Sequence, residues 1–489
     1  MLSFLKKRLN RSPEYRRISS QDQSQQEELI IDDVSANHVR RKIDRNILPL
    51  MMSLYGVQYL DKATLGRAAV LGFIEDNNLS ANQFNWLGAI IYLGYLLFAF
   101  PQNIALQRAP VGKWISLNVS VWGIAMVLQS MRLSFAGLLT CRFILGVCEG
   151  SITSGFLMVT SMFYTKNEQS SRVGYWFLMN GTAQIVSSLM GYGALYFKSN
   201  LLAPWQWFTL INGALTFATA LAFYLYFPDS ISTAHFLTEE EKIIAAKRVC
   251  EHETNAESKD WDPEQFKEAL RDPKTWLFAS FSLFNNIPTS IGVQLSLIVE
   301  SLGFTRLQTT LLGTLDGVIE IITIYTGVKL VEYFGYSRAY VGASYMVSDV
   351  LSAILVTTLP WSNKIGLLIS IYLTDIGTTG YVLGLAWVTS STAGHTKRST
   401  TQAIMLSAYC VGNLIGPHMW QEKYKPRNRI PWFIIGMCYS CCIVLLLVIR
   451  RRLERENRRR DLLAEEADNS VLAEMDLTDI QNQKFRYVL

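Results

Sequence analysis

FLTEEEKIIAAKRVCEHETNAESKDWDPEQFKEALRDPKTW, residues 236–276, is a long polar interruption in a chain of 489 residues that is otherwise half hydrophobic, 12% aromatic and only 17% charged. So apolar a composition does not suit a soluble protein of this size. Working outward from the interruption, the apolar residues fall into runs of about 20, the length a helix needs to cross a bilayer core. Six runs precede it, at 47–69, 86–107, 114–131, 135–163, 173–197 and 205–228. Six follow, at 276–300, 308–330, 339–360, 363–391, 400–420 and 430–449. The expected fold is an all-α integral membrane protein of twelve transmembrane helices in two six-helix bundles. The parts are an N-terminal tail (1–45), a first bundle (46–228), the central loop (229–274), a second bundle (275–450) and a C-terminal tail (451–489). Such halving is expected of carriers built from repeats around a central site. Within the loop, EEEKIIAAKR places acids early and bases late, as in a short surface helix with Thr238 as N-cap.

No apolar stretch followed by a small-residue cleavage site precedes residue 46, so the first span is expected to direct insertion. Lys and Arg gather at the N-terminal tail, the central loop, the even-numbered connections and residues 450–460, which predicts that tails and loop are cytoplasmic. Asn78, in the sequon NLS, then faces outside. Trp86, Trp114, Trp205, Trp207, Trp276, Trp361 and Trp432 lie near span ends and read as an interfacial belt. Residues 461–483 are acidic and read as peripheral or disordered. Of the seven cysteines all but Cys250 fall inside spans. Cys438, Cys441 and Cys442 have no His or acidic neighbours, so neither a disulfide framework nor a metal or other cofactor is implied.

Ionisable side chains inside the bilayer are costly and usually face a protein interior or a water-filled path. The first span contains Asp61 and Lys62 in QYLDKATLGRAAV, and the fourth contains Arg142 and Glu149 in RFILGVCEG, seven residues apart and thus on one helix face. A buried carboxyl that can take a proton beside a cation that can hold a carboxylate is what proton-coupled anion uptake requires. Asp61, next to Lys62 in sequence, is expected to stay ionised, and Glu149, with no adjacent cation, to be the more readily protonated. Asp316 and Glu320 share a face of the eighth span and Asp375 lies in the tenth, a possible second proton path. Tyr95, Asn180, Gln184, Asn285, Asn286 and Asn413 could bond a substrate or hold helices together.

YLDKATL (59–65), QRAPVGKW (107–114), RFILGVCEG (142–150), AGHTKRSTTQA (393–403) and GNLIGP (412–417) together resemble the major facilitator superfamily, and within it the fungal allantoate permease-like branch of the anion:cation symporter family. The resemblance covers essentially residues 40–450. It implies the two-bundle major facilitator fold, alternating access, and import of small organic anions, such as a carboxylate, a ureide like allantoate or a vitamin like nicotinate, with protons. It also implies Asp61 and Glu149 as the proton-handling pair. Lys62 and Arg142 match the basic positions, and Tyr59, Tyr95, Gln184 and Asn413 fall at substrate-contact positions. Asn285 is added from its place in the seventh span. QRAPVGKW departs from the superfamily signature in having no acid. The expected partners are a small organic anion, protons and membrane lipid, with no nucleic acid, and the expected state is a monomer. The plasma membrane is the expected location, with the endoplasmic reticulum or another internal membrane as alternative. An exporter of amphipathic compounds and a transporter-fold nutrient receptor are the competing functions. No nucleophile and base pair or cofactor loop points to an enzyme.

Overall fold

The computed structural model describes residues 33–197, 201–251, 261–334, 337–464 and 477–489. Residues 1–32 and residues 252–260 of the central loop, both used above, lie outside the described residues. The described chain is helical, and its helices make twelve spans close to the expected limits. The first half comprises α1 (Asp33–Ala68), α2 (Ala81–Arg108), α3 (Val111–Gln129), α4 (Phe135–Glu149) with α5 (Ile152–Phe163), α6 (Lys166–Phe177) with α7 (Met179–Ala194), and α8 (Pro204–Tyr226). The loop carries α9 (Glu239–Glu251) and α10 (Pro263–Arg271). The second half comprises α11 (Pro273–Asn286) with α12 (Ile291–Ser301), α13 (Arg306–Phe334), α14 (Arg338–Thr358), α15 (Lys364–Tyr372) with α16 (Thr378–Ser390), α17 (His395–Ile415) and α18 (Arg429–Ala464).

Eight of these spans are apolar and long enough to cross a membrane on length and composition alone. The other four are the first, fifth, seventh and eleventh. Polar residues thin the apolar character of α1 and α17, and breaks at Leu178 and at Pro288–Ser290 divide the fifth and seventh. Within the halves, α1 packs on α7 and α8, α2 on α4, α11 on α17 and α14 on α18; across them, α7 meets α13, α2 meets α17 and α1 meets α12. All three cross-half contacts therefore involve at least one of the four weakly apolar spans. Small residues permit the approach. A Cβ on Gly181 would lie 2.8 Å from the Gly317 carbonyl oxygen, and one on Gly146 1.9 Å from that of Ile91.

An even number of spans in each half places both tails and the central loop on one face. The halves are joined at the opposite face. There Asn85 donates to the Trp420 carbonyl at 2.6 Å and accepts from Gln294 at 2.9 Å, Glu75 lies 3.7 Å from Arg306, and the Trp86 and His418 rings are 4.6 Å apart. On the loop face each half is braced separately. Lys42 meets Glu241 at 2.7 Å, Arg172 meets Asp44 at 2.7 Å and Arg248 meets Glu168 at 2.7 Å, all tying α1, α6 and α9 together. Gln265 of α10 accepts from the Thr396 amide at 3.1 Å and Glu268 meets Lys397 at 2.9 Å, tying α10 to the second half. Thr238 and Glu241 form the expected cap, with bonds of 3.3 and 2.8 Å.

The loop has buried anchors, because Ala234, Leu237 and Ala245 join the core of the first half. Two expectations are corrected. Trp205 and Trp432 are fully buried and not part of an interfacial belt, and Trp205 donates to Asp76 at 2.8 Å. Of the segment 461–483 read as peripheral or disordered, residues 465–476 lie outside the described residues, and residues 477–483 are docked together with 484–489. Asp479, wholly buried, accepts from Lys274 at 2.6 Å and from Tyr487 at 2.7 Å and lies 3.0 Å from Lys397, while Trp387 donates to the Val488 carbonyl at 2.6 Å. The acid missing from QRAPVGKW is supplied from elsewhere, since Asp229, just past α8, accepts from the Lys113 amide at 3.2 Å.

Candidate functional site

The four charges of the first half do not form one network. Asp61 and Lys62 are consecutive on α1, so their side chains leave the helix about 100° apart. Lys62, 30% exposed, turns toward the second half and forms an ion pair with Glu149, which is 5% exposed. Gln58, one turn earlier on the same face, donates to the same Glu149 oxygen at 2.8 Å. Asp61 turns into the first bundle, where Thr216 donates to its Oδ2 at 2.8 Å and Oδ1 has no hydrogen-bond partner. Arg142, 3% exposed, is an electrostatic neighbour of Asp61, and no carboxylate lies within ion-pair distance of it among the described residues. Trp122, its indole N–H close to the Asp61 carboxylate, completes this interior pocket. The expectation that Lys62 holds Asp61 ionised is thus corrected: helix geometry gives the lysine to Glu149.

Around the Lys62–Glu149 pair stand Tyr55, Tyr92 and Tyr409, the last two with rings 5.9 Å apart across the two halves, while Tyr59, one turn before Lys62, has Glu320 and Asp375 as its charged neighbours. Tyr95 is buried one turn beyond Tyr92 and has Lys62 and Glu149 among its electrostatic neighbours. Glu320, on α13 of the other half, is the strongest electrostatic neighbour of Tyr59 and also acts on Tyr55.

Two expected substrate contacts are otherwise engaged. Gln184 accepts from Arg67 at 2.9 Å and packs against Gly317. Asn413 accepts from Thr289 at 2.6 Å and donates to Asn286 at 3.2 Å, so it clasps the eleventh span to the break in the seventh. Asn285 is buried with an unpartnered amide oxygen. Three residues went unread in the sequence. Gln58 could have been found from its i, i+4 spacing to Lys62. Arg67 lies within the first span; it donates to Ser187 at 3.1 Å and abuts Gly313 of the other half. Asp349, fully buried in α14 against Gly377, could have been found as an acid in an apolar run.

Two six-span halves closed at one face around a buried ion pair define a multi-pass membrane carrier, not an enzyme. The chain belongs to the Major Facilitator Superfamily, whose description matches residues 51–417. It is 33% identical over 453 residues to the thiamine pathway transporter THI73 of Saccharomyces cerevisiae, covering 92% of this chain and 86% of that one. It is 28% identical to the allantoate permease of the same yeast over 92% of this chain and 86% of that protein, and 27% identical to its high affinity cysteine transporter over 92% and 91%. Among solved structures, the partially occluded inward-open xylose transporter XylE from E. coli matches with a TM-score of 0.63 at 15% identity, over 84% of this chain and 97% of that one.

Proposed function

We propose that this transporter imports a small organic carboxylate together with a proton, and that the Lys62–Glu149 pair is where the two are coupled. The observation that carries the reading is the ion pair itself, partly exposed toward the space between the halves. While Glu149 is ionised it occupies Lys62. A proton on Glu149 frees the ammonium group, which then offsets the desolvation of an entering carboxylate. Proton and substrate thus favour each other's binding, the linkage a symporter needs. Gln58 keeps Glu149 positioned in either protonation state, because an amide can donate to a carboxylate or to a carboxyl carbonyl oxygen. Asp61 and Arg142, inside the first bundle, form a second polar centre that can exchange protons as the bundle moves. Lysine is a point charge and does not demand the planar fork that an arginine would impose on a carboxylate.

Closure at the face opposite the loop leaves access from the loop face. With the Lys and Arg distribution placing that face in the cytoplasm, this is the inward-facing state of an alternating-access cycle. Two of the relatives' substrates, allantoate and cysteine, carry a carboxylate. The test is uptake of labelled carboxylates and ureides, each beside its neutral amide, into cells expressing the protein at acidic and neutral external pH. Faster uptake of a carboxylate at acidic pH is expected. Uptake that ignores both the carboxylate and pH would contradict the proposal.

A further inference from the structure

Charge is divided unequally between the halves. Within the first six spans, Lys62, Arg67 and Arg142 stand against Asp61 and Glu149; within the last six, Asp316, Glu320, Asp349 and Asp375 stand against no lysine or arginine away from a span end. Lys329 and Lys364, the bases at those ends, are exposed. So many ionised carboxyls cannot remain uncompensated at bilayer depth.

Position separates the four acids. Asp316 has Arg67 as its electrostatic neighbour across the interface between the halves. Asp349 is enclosed in the second bundle, where it lies against Gly377 so closely that a Cβ there would overlap it. Glu320 and Asp375 remain, and both act on Tyr59, one turn from Lys62. The Glu320 side chain is 92% buried, as its 8% exposure states, and its carboxylate has neither a hydrogen-bond donor nor an ion-pair partner among the described residues. It also acts on Tyr55, which has Lys62 and Glu149 as its other charged neighbours. Glu320 lies one and two turns along α13 from Gly317 and Gly313, on the same buried side, and those glycines touch α7 and Arg67 of α1, so its carboxylate faces the first half, where Lys62 supplies an ammonium group. Tyr92 and Tyr409, whose rings meet across the two halves, offer π faces of the kind that attract organic cations.

We infer that the substrate is an amphoteric molecule, a carboxylate that also carries an amino or other cationic nitrogen, and that Glu320 receives the cationic end while Lys62 receives the carboxylate. This rests on the carboxylate reading of the same site and narrows it. A purely anionic substrate would face Glu320 across the site and be repelled, whereas an amphoteric one neutralises both charges at once. Asp375, an electrostatic neighbour of Glu320, adds to the negative field.

The experiment measures binding to the purified full chain in lipid nanodiscs, by thermal shift and by competition, with two matched sets of probes. One is L-cysteine, 3-mercaptopropionate and cysteamine; the other is piperidine-3-carboxylate, cyclohexanecarboxylate and piperidine. In at least one set the amphoteric member should bind at least about tenfold more tightly than the carboxylate lacking nitrogen, the effect of one additional charge pair. Glu320→Gln should remove that preference and leave the bare carboxylate bound as well as before or better, with Glu320→Asp restoring part of it. A bare carboxylate that binds the unmodified protein as well as its amphoteric partner overturns the inference and leaves the carboxylate reading standing. A preference unchanged in Glu320→Gln overturns the role of that residue. No response to any carboxylate contradicts the carboxylate reading itself.

Discussion

At the scale of single residues, the account turns on how four charges are paired. Buried ionic groups stabilise little by their presence, yet removing one partner leaves the other uncompensated at a cost of about 3–5 kcal/mol. If Lys62 belongs to Glu149 and Asp61 to Arg142, neutralising both members of one pair should cost much less than the sum of the single changes. In double-mutant cycles on thermal stability, Lys62→Gln with Glu149→Gln, and Asp61→Asn with Arg142→Gln, should each show coupling of about 0.5–3 kcal/mol. The crossed combination of Lys62→Gln with Asp61→Asn should be additive within about 0.5 kcal/mol. Coupling confined to the crossed pair would return Lys62 to Asp61. The charged residues themselves were legible in the sequence, because an acid or base in an apolar run stands out. Their pairing was not, since adjacency along a helix separates side chains and only the tertiary fold brings Glu149, at the end of α4, to Lys62. Gln184 and Asn413 stayed ambiguous for a related reason: a polar side chain in a span looks the same whether it faces a substrate or another helix.

At the scale of the helices, the spans with the weakest apolar signal carry part of the site, Lys62 and Tyr409 among it, and take part in each of the three contacts between the halves described above. The first, fifth, seventh and eleventh spans give up length or hydrophobicity because they line the cleft or are broken beside it, which is tolerated where backbone faces protein. The number of spans could be read from the sequence because lipid-facing runs are long and uniform. The breaks in the fifth and seventh were not foreseen, although Pro288 marks one of them. Close glycine contacts have a measurable consequence at this scale. Gly146 of α4 touches the backbone of α2, and a Cβ there would overlap the Ile91 carbonyl oxygen. Gly146→Ala should therefore push apart the two helices that position Glu149, destabilising the protein by about 1–3 kcal/mol. Gly193 has open space around it, and Gly193→Ala should leave stability within about 0.5 kcal/mol. Thermal denaturation monitored by fluorescence-detected gel filtration compares the two, and equal effects would argue against the contact.

At the scale of the whole molecule, each half keeps its own bracing on the loop face. The central loop is shared, α9 lying with the first half and α10 with the second. A chain cut between Glu251 and Trp261, with both fragments coexpressed, should reassemble and retain transport, and failure to assemble would show that continuity of the loop is needed. The C-terminal segment braces the second half in turn. Burial alone would raise the Asp479 carboxyl, but Lys274 and Lys397 outweigh it and hold the group below the usual carboxylate range. A depressed folded value stabilises docking at every pH above the unfolded value of about 3.9, and that contribution is lost as pH falls through the folded value. Hydrogen exchange at residues 477–489 should stay slow from neutral pH to about pH 5 and rise only in stronger acid. Asp479→Asn should expose the segment at neutral pH, and unchanged protection would contradict the clasp. The acidic composition around 461–483 concealed this docking, because a run of charges reads as solvated until the buried lysines opposite are known.

The central claim is that protonation of Glu149 releases Lys62 to hold the substrate carboxylate, and transport by Glu149→Gln in proteoliposomes tests it most directly. A glutamine mimics the protonated acid permanently, so the variant should exchange labelled for unlabelled substrate in counterflow while losing accumulation driven by a pH gradient. Accumulation by Glu149→Gln against a gradient, with the pH dependence of the unmodified protein, would contradict the account.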